Sequence, residues 1–304
     1  MKKIGIKLIV LFLILLVFDQ ALGGLLDVIR DHAPDGRYYK ATYSLNACDE
    51  DIIILGSSRG ESNYAPYLIE DSLKMTCWNA SRGGQGLTYF RCMEAGILKR
   101  YTPKWLILNI ETDILEYPPL EEHAGFLRPF YHKHPEIRPI LNEISWSEPW
   151  LMKSRLYAYN SSFYYLMRPY LIKGLDGKST DQGWKPLEQV LSDSHKEAID
   201  IIDTNLPLNT DAVRGFEAFT HKILQTDCQL IFVVSPNYGE QVKRSSSLQY
   251  IKTFAEKNSI PLFDFSADPF LTTHPENFND VQHLNRQGAI YFTNQLIAKL
   301  QTIQ

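Results

Sequence analysis

Asp51-Ile52-Ile53-Ile54-Leu55-Gly56-Ser57-Ser58 is the stretch on which the fold turns. Four consecutive apolar residues, three of them β-branched, are too few for a helix. Ended by Gly-Ser-Ser, they read as a strand buried on both faces and stopped by a turn. Downstream the pattern predicts a helix over about 64–73, a short strand near 76–79, a helix over about 87–99 and a strand over 105–110 introduced by Pro103. Beyond residue 210 the alternation resumes. A helix is expected over about 211–226, a strand over 229–234 ended by Ser235-Pro236-Asn237, a helix over about 240–258, a strand over 261–265, and a last helix from an Asn285 N-cap to about 300. Strands alternating with helices imply parallel pairing, so the expectation is a three-layer α/β/α sandwich on a five-stranded parallel sheet. Such a sheet opens its ligand crevice at the carboxyl ends of its strands, which directs attention to the loops after them.

Between about 115 and 209 the alternation stops. This long stretch is rich in Tyr, Phe, Trp and Pro, including Arg128-Pro129-Phe130-Tyr131 and Tyr164-Tyr165-Leu166-Met167-Arg168-Pro169-Tyr170. A structureless loop of that length is implausible in a compact domain, so it reads as an insertion with its own helices, placed to cover the crevice. Residues 174–183, with Asp176-Gly177 and Asp181-Gln182-Gly183, read as its most exposed turn region. Its aromatic side chains suit internal packing better than stacking on a sugar.

At the amino terminus, Lys2, Lys3 and Lys7 lead into an uninterrupted apolar run from Leu8 to Phe18. Residues 1–26 are therefore expected to be a signal peptide or membrane anchor. The run is nearer the length of a signal-peptide core than of a full span, and Ala21-Leu22-Gly23 offers a cleavage site. The basic flank would hold the terminus in the cytoplasm and send the remainder across the membrane, to the cell envelope or beyond. Residues 27–50 read as a polar stalk, leaving 51–304 as the folded domain.

The composition is 44% hydrophobic and 22% charged, that of a globular protein. A net charge of −4 gives no bulk attraction for phosphates, so nucleic acid is not an expected partner. Cys48, Cys77, Cys92 and Cys228 form no metal-ligand spacing and leave disulfides undecided. His123, His132 and His134 stand beside no carboxylate that completes a recognisable site; no metal and no cofactor are expected.

A serine becomes a nucleophile when a histidine takes its proton and a carboxylate orients that histidine. Ser58 comes after the first strand, and Asp280-Val281-Gln282-His283 stands just before the last helix, after the last strand. In a parallel sheet these two loops share one edge, so residues more than 200 positions apart can meet there. Read as turn and cap residues alone, Ser57, Ser58, Asp280 and Asn285 are explained, but His283 is not.

Gly56-Ser57-Ser58 after a buried strand, with Asp280-x-x-His283-Leu284-Asn285 near the carboxyl terminus, resembles the SGNH (GDSL-like) hydrolase superfamily, with its flavodoxin-like sheet. Ser57 stands where the usual motif has Asp, a form similar to exported SGNH-like proteins that move acyl groups onto cell-wall polymers or exopolysaccharides. The resemblance implies Ser58 as nucleophile with Asp280 and His283 completing a triad, and an oxyanion hole from the Ser58 amide and Gly84. Gly83 and Gly86 are close enough to take Gly84's place. Asn79-Ala80-Ser81-Arg82-Gly83-Gly84 resembles the second family block, which puts Asn79 at the substrate. The third block falls at Glu111-Thr112-Asp113 with no asparagine, and Thr112 is the expected substitute donor. Arg59 is expected either to bind substrate or to cap the following turn, and Arg82 likewise. The function implied is a serine esterase acting on an acyl ester, an acylated carbohydrate being the favoured substrate. The alternatives are an O-acyltransferase with the same triad, or a non-catalytic scaffold within envelope polysaccharide machinery.

Overall fold

The computed structural model describes residues 2–118, 125–160, 162–174, 179–192, 203–204, 206–239 and 244–304. Its centre is the expected sheet: β1 (Ile52–Leu55), β2 (Cys77–Asn79), β3 (Trp105–Asn109), β4 (Gln229–Val234) and β5 (Leu262–Asp264), all parallel, in the order β2-β1-β3-β4-β5. Alternate residues of each strand go to opposite faces. Ile53, Leu55, Leu106, Leu108, Leu230 and Phe232 enter one core, while Ile52, Ile54, Ile107, Ile231 and Val233 enter the other. Burial on both faces is why these strands read as continuous apolar runs rather than alternating ones.

The main helices among the described residues are α1 (Lys2–Asp31), α2 (Gly36–Asn46), α3 (Ser58–Asn63), α4 (Pro66–Leu73), α5 (Leu87–Leu98), α6 (Phe163–Leu171), α7 (Thr210–Leu224), α8 (Ser246–Lys257) and α9 (Arg286–Leu300), with several shorter turns of helix between them. α2, α5, α7 and α8 supply Leu45, Phe90, Phe216 and Ile251 to the first core. α4 and α9 supply Ile69, Phe292 and Leu296 to the second. Caps match the sequence closely: the Asn285 side chain accepts from Gly288 N–H at 3.0 Å, and Ser245 from Leu248 N–H at 2.9 Å.

Several expectations need correction. The helix foreseen over 64–73 starts two residues later, at Pro66, which bars Ala65 from helical geometry and leaves it extended (φ −98°, ψ 94°), and the short α3 precedes it. The helix foreseen from 240 begins at Ser246; residues 240–243 lie outside the described residues. Residues 27–50 are no stalk. α1 runs through to Asp31, and α2 lays Tyr38, Ala41 and Leu45, one face of a helix at intervals of three and four, into the first core.

Most of the described insertion packs away from the crevice: Leu127, Phe130, Leu141, Met152 and Leu166 join the core that holds α2 and α5, while Tyr117 and Pro118 at its start line the cavity beside Ser57. Arg30, 1% exposed, fastens α1 to this layer through Pro129 O, the Tyr159 hydroxyl and the Phe130 ring. The last two residues of the stretch read as an exposed turn, Gln182 and Gly183, begin a strap that continues to residue 191. Asn79 N–H donates to Gln182 O (2.9 Å), the Trp184 indole to Ser62 O (2.6 Å), and Leu191 N–H to Phe278 O (2.8 Å). Trp184 is buried between α4 and the carboxyl-terminal loop. All four cysteines are buried free thiols.

Glu94 on α5 is 1% exposed, its nearest cation being Lys222 Nζ at 3.9 Å, and burial pushes its carboxyl up to about 8. A folded-state value above the unfolded one means that the folded chain holds the extra proton between about pH 4.5 and 8. The stability this gives is present in acid and is lost as pH rises through that window. Glu94→Gln, which cannot ionise, is expected to leave Tm nearly unchanged at about pH 5 and raise it at about pH 8, measured by thermal scans across pH. An identical pH slope in the two proteins would refute the assignment.

Candidate active site

In a sheet ordered β2-β1-β3-β4-β5 the winding reverses between β1 and β3, and the crevice opens at their carboxyl ends. Ser58 is the first residue of α3, immediately after the β1 turn. That turn is tight. A Cβ on Gly56 would lie 2.8 Å from Asn109 Cβ and 2.9 Å from Gly60 Cα, so only glycine lets β1 hand over to α3 beside β3.

The pairing of β2 with β1 continues past both strands. Ala80 N–H donates to Ile54 O (2.9 Å) and Arg82 N–H to Gly56 O (3.0 Å), which lays the next turn alongside Ser58. A Cβ on Gly83 would be 3.5 Å from that of Ser58. Gly84 has φ +69°, the left-handed region that glycine adopts without strain, and faces open space. Its N–H and that of Ser58 meet no acceptor among the described residues.

Between β5 and α9 the chain makes a narrow loop closed by the antiparallel bridge Phe278–Leu284. Asp280 turns back on this loop, its Oδ1 accepting from Gln282 N–H at 2.9 Å and His283 N–H at 3.0 Å. His283 Nδ1 lies 2.8 and 3.0 Å from the two Asp280 oxygens, and Nε2 lies 2.7 Å from Ser58 Oγ. A carboxylate only accepts, so the proton sits on Nδ1, and Nε2 is left to accept from the serine hydroxyl. Burial would push the Asp280 carboxyl up, but the imidazole and the Gln282 N–H outweigh it and hold the group well below the usual carboxylate range. The carboxylate therefore stays ionised at neutral pH and fixes the ring. The Asn63 side chain accepts from Leu284 N–H at 3.1 Å, so α3 and the loop are tied together directly.

A second charged pair lies under the glycine turn. Glu61, one turn after Ser58 on α3, accepts from Gly83 N–H at 3.0 Å and meets the Lys40 ammonium at 2.7 Å; Lys40 also donates to Ser81 O at 2.7 Å. Burial pushes the Glu61 carboxyl up, and Lys40 outweighs it, holding the group below its ordinary value. Lys40 comes from α2, so the segment read as a stalk braces the turn beside the serine. Lys40 stands at neither three- nor four-residue spacing from Tyr38, Ala41 or Leu45, so the pattern of α2 carries no signal of its burial.

Three expected site residues have other employment. Asn79 is fully buried, its amide donating to Gly60 O (2.8 Å) and its oxygen accepting from Ser81 N–H (3.0 Å), which braces the turn from behind rather than touching substrate. Arg59, 5% exposed, directs its guanidinium beneath the crevice floor, to Glu111, to Asn237 Oδ1 (2.8 Å) and to Ser235 O (3.3 Å). Glu111 answers it and also accepts from the Asn109 amide (3.1 Å), so its charge is met by a cation. Thr112 is buried at the start of a turn, its carbonyl accepting from the Ser245 hydroxyl, while its neighbours Glu111 and Asp113 line a cavity of about 240 Å³ with Ser57, Gln85, Leu87 and Tyr117, a cavity that Thr112 itself does not line. Arg82 lies over the Phe126 ring at 3.5 Å, a packing role. His134 pairs with Glu136 at 2.8 Å, and His123 lies outside the described residues.

No family model and no curated protein matches the sequence. Among solved structures the chain is similar to an acetyl xylan esterase, at 14% identity and a TM-score of 0.40, over 82% of this chain and 98% of that one. It is also similar to a protein proposed to be an acylhydrolase from Bacteroides fragilis, at 10% identity and a TM-score of 0.38, over 89% of this chain and 93% of that one.

The brace under the glycine turn generates a test. Lys40→Met alone leaves Glu61 buried without its cation and is expected to destabilise the fold by about 3–5 kcal/mol. The double variant Lys40→Met/Glu61→Leu removes both charges and is expected to recover most of that stability while the turn stays unbraced. Its reaction with a fluorophosphonate probe should fall by about 10²-fold, the scale of one misplaced oxyanion donor. A stable double variant that reacts as fast as the wild type would show the brace to be irrelevant to the site.

Proposed function

We propose that the chain is a membrane-anchored serine esterase acting on an acyl ester, with Ser58, His283 and Asp280 as its triad. The observation that carries this reading is the continuous relay from Asp280 through both ring nitrogens of His283 to Ser58 Oγ at hydrogen-bond distance. Residues serving only as a turn and a helix cap have no reason to align in this way.

In the first step Ser58 Oγ bonds to the acyl carbonyl carbon as His283 Nε2 takes the hydroxyl proton. The carbonyl π pair moves onto oxygen, where the N–H groups of Ser58 and Gly84 receive it; Gly83 N–H is engaged by Glu61 and takes no part. Collapse of the intermediate breaks the ester C–O bond, and the imidazolium gives its proton to the departing alcohol. Water activated by the same imidazole then releases the acid. Asp280 stabilises the imidazolium without taking its proton.

The alcohol half of the substrate is read as a carbohydrate. The cavity beside Ser57 presents Gln85, Glu111 and Asp113 as hydrogen-bond acceptors and Tyr117 as an apolar plate, a combination suited to a face of sugar hydroxyls. The same cavity gives an O-acyltransferase second place, since a bound sugar hydroxyl there could replace water at the acyl-enzyme.

α1 is read as an anchor that is retained. Its apolar span lies near the amino terminus behind Lys2 and Lys3, and its carboxyl half is packed into the domain through Gly23, Leu26 and Arg30. Cleavage after Gly23 would remove Asp19, Gln20 and Gly23 from their contacts with residues 153–156. The domain then stands on the extracytoplasmic side.

The test uses the full chain in detergent or nanodiscs, a fluorophosphonate probe and intact mass. One adduct is expected in the wild type, none in Ser58→Ala, and labelling of Asp280→Asn slower by about 10⁴-fold. A folded wild type that gains no adduct would overturn the serine mechanism. Release of free acid from an acylated sugar in water alone identifies the esterase, whereas turnover that requires an added sugar identifies the transferase.

A further inference from the structure

The exposed part of α1 is short for a bilayer. Residues 3–18 are exposed throughout, but their apolar stretch, Ile4 to Phe18, spans only about 22 Å at 1.5 Å per residue. A hydrocarbon core is about 30 Å thick. From Asp19 onward the helix is already docked on the domain. The Asp19 carboxylate accepts from Arg155 N–H (2.9 Å), Leu156 N–H (3.2 Å) and the Ser154 hydroxyl, and the Gln20 amide donates to Lys153 O at 3.3 Å. A membrane that accommodates α1 therefore reaches the level of residues 153–156.

At that level the domain carries two exposed tryptophans. Trp146 and Trp150, four residues apart on a continuous turn and helix, are 88% and 64% exposed, and Leu151 beside them is 37% exposed. Lys153 places its ammonium 3.9 Å from the Trp150 ring centre. The other three tryptophans, Trp78, Trp105 and Trp184, are buried. Tryptophan with a flanking lysine is the composition favoured at the headgroup layer, where an indole has an apolar body in the acyl boundary and a polar edge in water.

We propose that residues 146–153 are an interfacial foot, seated in the extracytoplasmic headgroup layer of the bilayer that α1 crosses. This rests on the reading of α1 as an anchor. The foot makes up the length that α1 lacks, and with the Asp19 tie it gives the domain two points of attachment, fixing the tilt of the catalytic domain on the membrane instead of leaving it to swing from one helix.

The experiment is tryptophan emission of the full chain in phosphatidylcholine nanodiscs, made either with plain lipid or with lipid brominated near the top of the acyl chains. Quenching by the brominated lipid is expected in the wild type and is expected to disappear in Trp146→Ser/Trp150→Ser, whose remaining tryptophans are buried in the domain. Co-migration with the nanodisc on size exclusion is read in parallel. A chain that co-migrates but emits equally in both lipids overturns the foot and leaves the anchor standing. A chain that does not co-migrate overturns both, and quenching that persists undiminished in the double variant overturns the foot.

Discussion

The continuation of β-pairing beyond the ends of β1 and β2 is the constraint on which the rest of the site depends. Parallel strands exchange evenly spaced hydrogen bonds, and here the series does not stop at Asn79 but carries on through Ala80 and Arg82 to Ile54 and Gly56. The glycine turn is thereby brought to the height of Ser58 by backbone hydrogen bonds. Gly56 makes this possible from the other side, since any side chain there would push α3 off Asn109. The geometry around Ser58 is an extension of the sheet, which gives the glycine turn the rigidity of a strand rather than that of a loop.

Charge completes what the sheet begins. Two buried ion pairs flank the first turn of α3: Lys40 with Glu61 under the glycine turn, and Arg59 with Glu111 across the switch point. Each joins elements that are remote in sequence, α2 to α3 in one case and α3 to the end of β3 in the other. Their contribution to net stability is limited by the desolvation of four charges. Their effect on geometry is larger, because a buried charge has one acceptable partner and so fixes the register of the elements that carry it. The strap at 182–191 adds a third tie, running from the edge of β2 past Ser62 to the loop that carries His283. By supplying Lys40, α2 makes the segment that follows α1 a structural component of the site.

The resemblance carried by Gly56-Ser57-Ser58 and Asp280-x-x-His283 singled out three residues that the fold brings within hydrogen-bond reach, and the reason they were legible is local. A strand-ending turn and a loop before a capped helix both have strong short-range signatures, and parallel topology brings their ends to one edge. The roles given to Asn79, Arg59 and Thr112 were not legible in the same way. Whether an asparagine faces substrate or braces a turn, and which residues of a turn reach the crevice, depends on neighbours that lie tens of residues away. Lys40 and Glu61 were missed for the same reason: each looks like an ordinary surface residue of an amphipathic helix until the other is placed against it.

By itself the sequence determined the class of the fold, the existence and nearly the limits of its five strands, the cap of the last helix and the residues able to form a relay. These rest on periodicity, β-branching and turn chemistry, which act over a few residues. Only the tertiary structure decided the strand order 2-1-3-4-5, the packing of residues 27–50 into the core, the placement of the insertion against α1 and α2, and the ion pairs that hold the glycine turn. These are outcomes of which apolar faces remain to be covered once the sheet has formed and of which buried charges can find a partner, and no window of contiguous sequence contains that information.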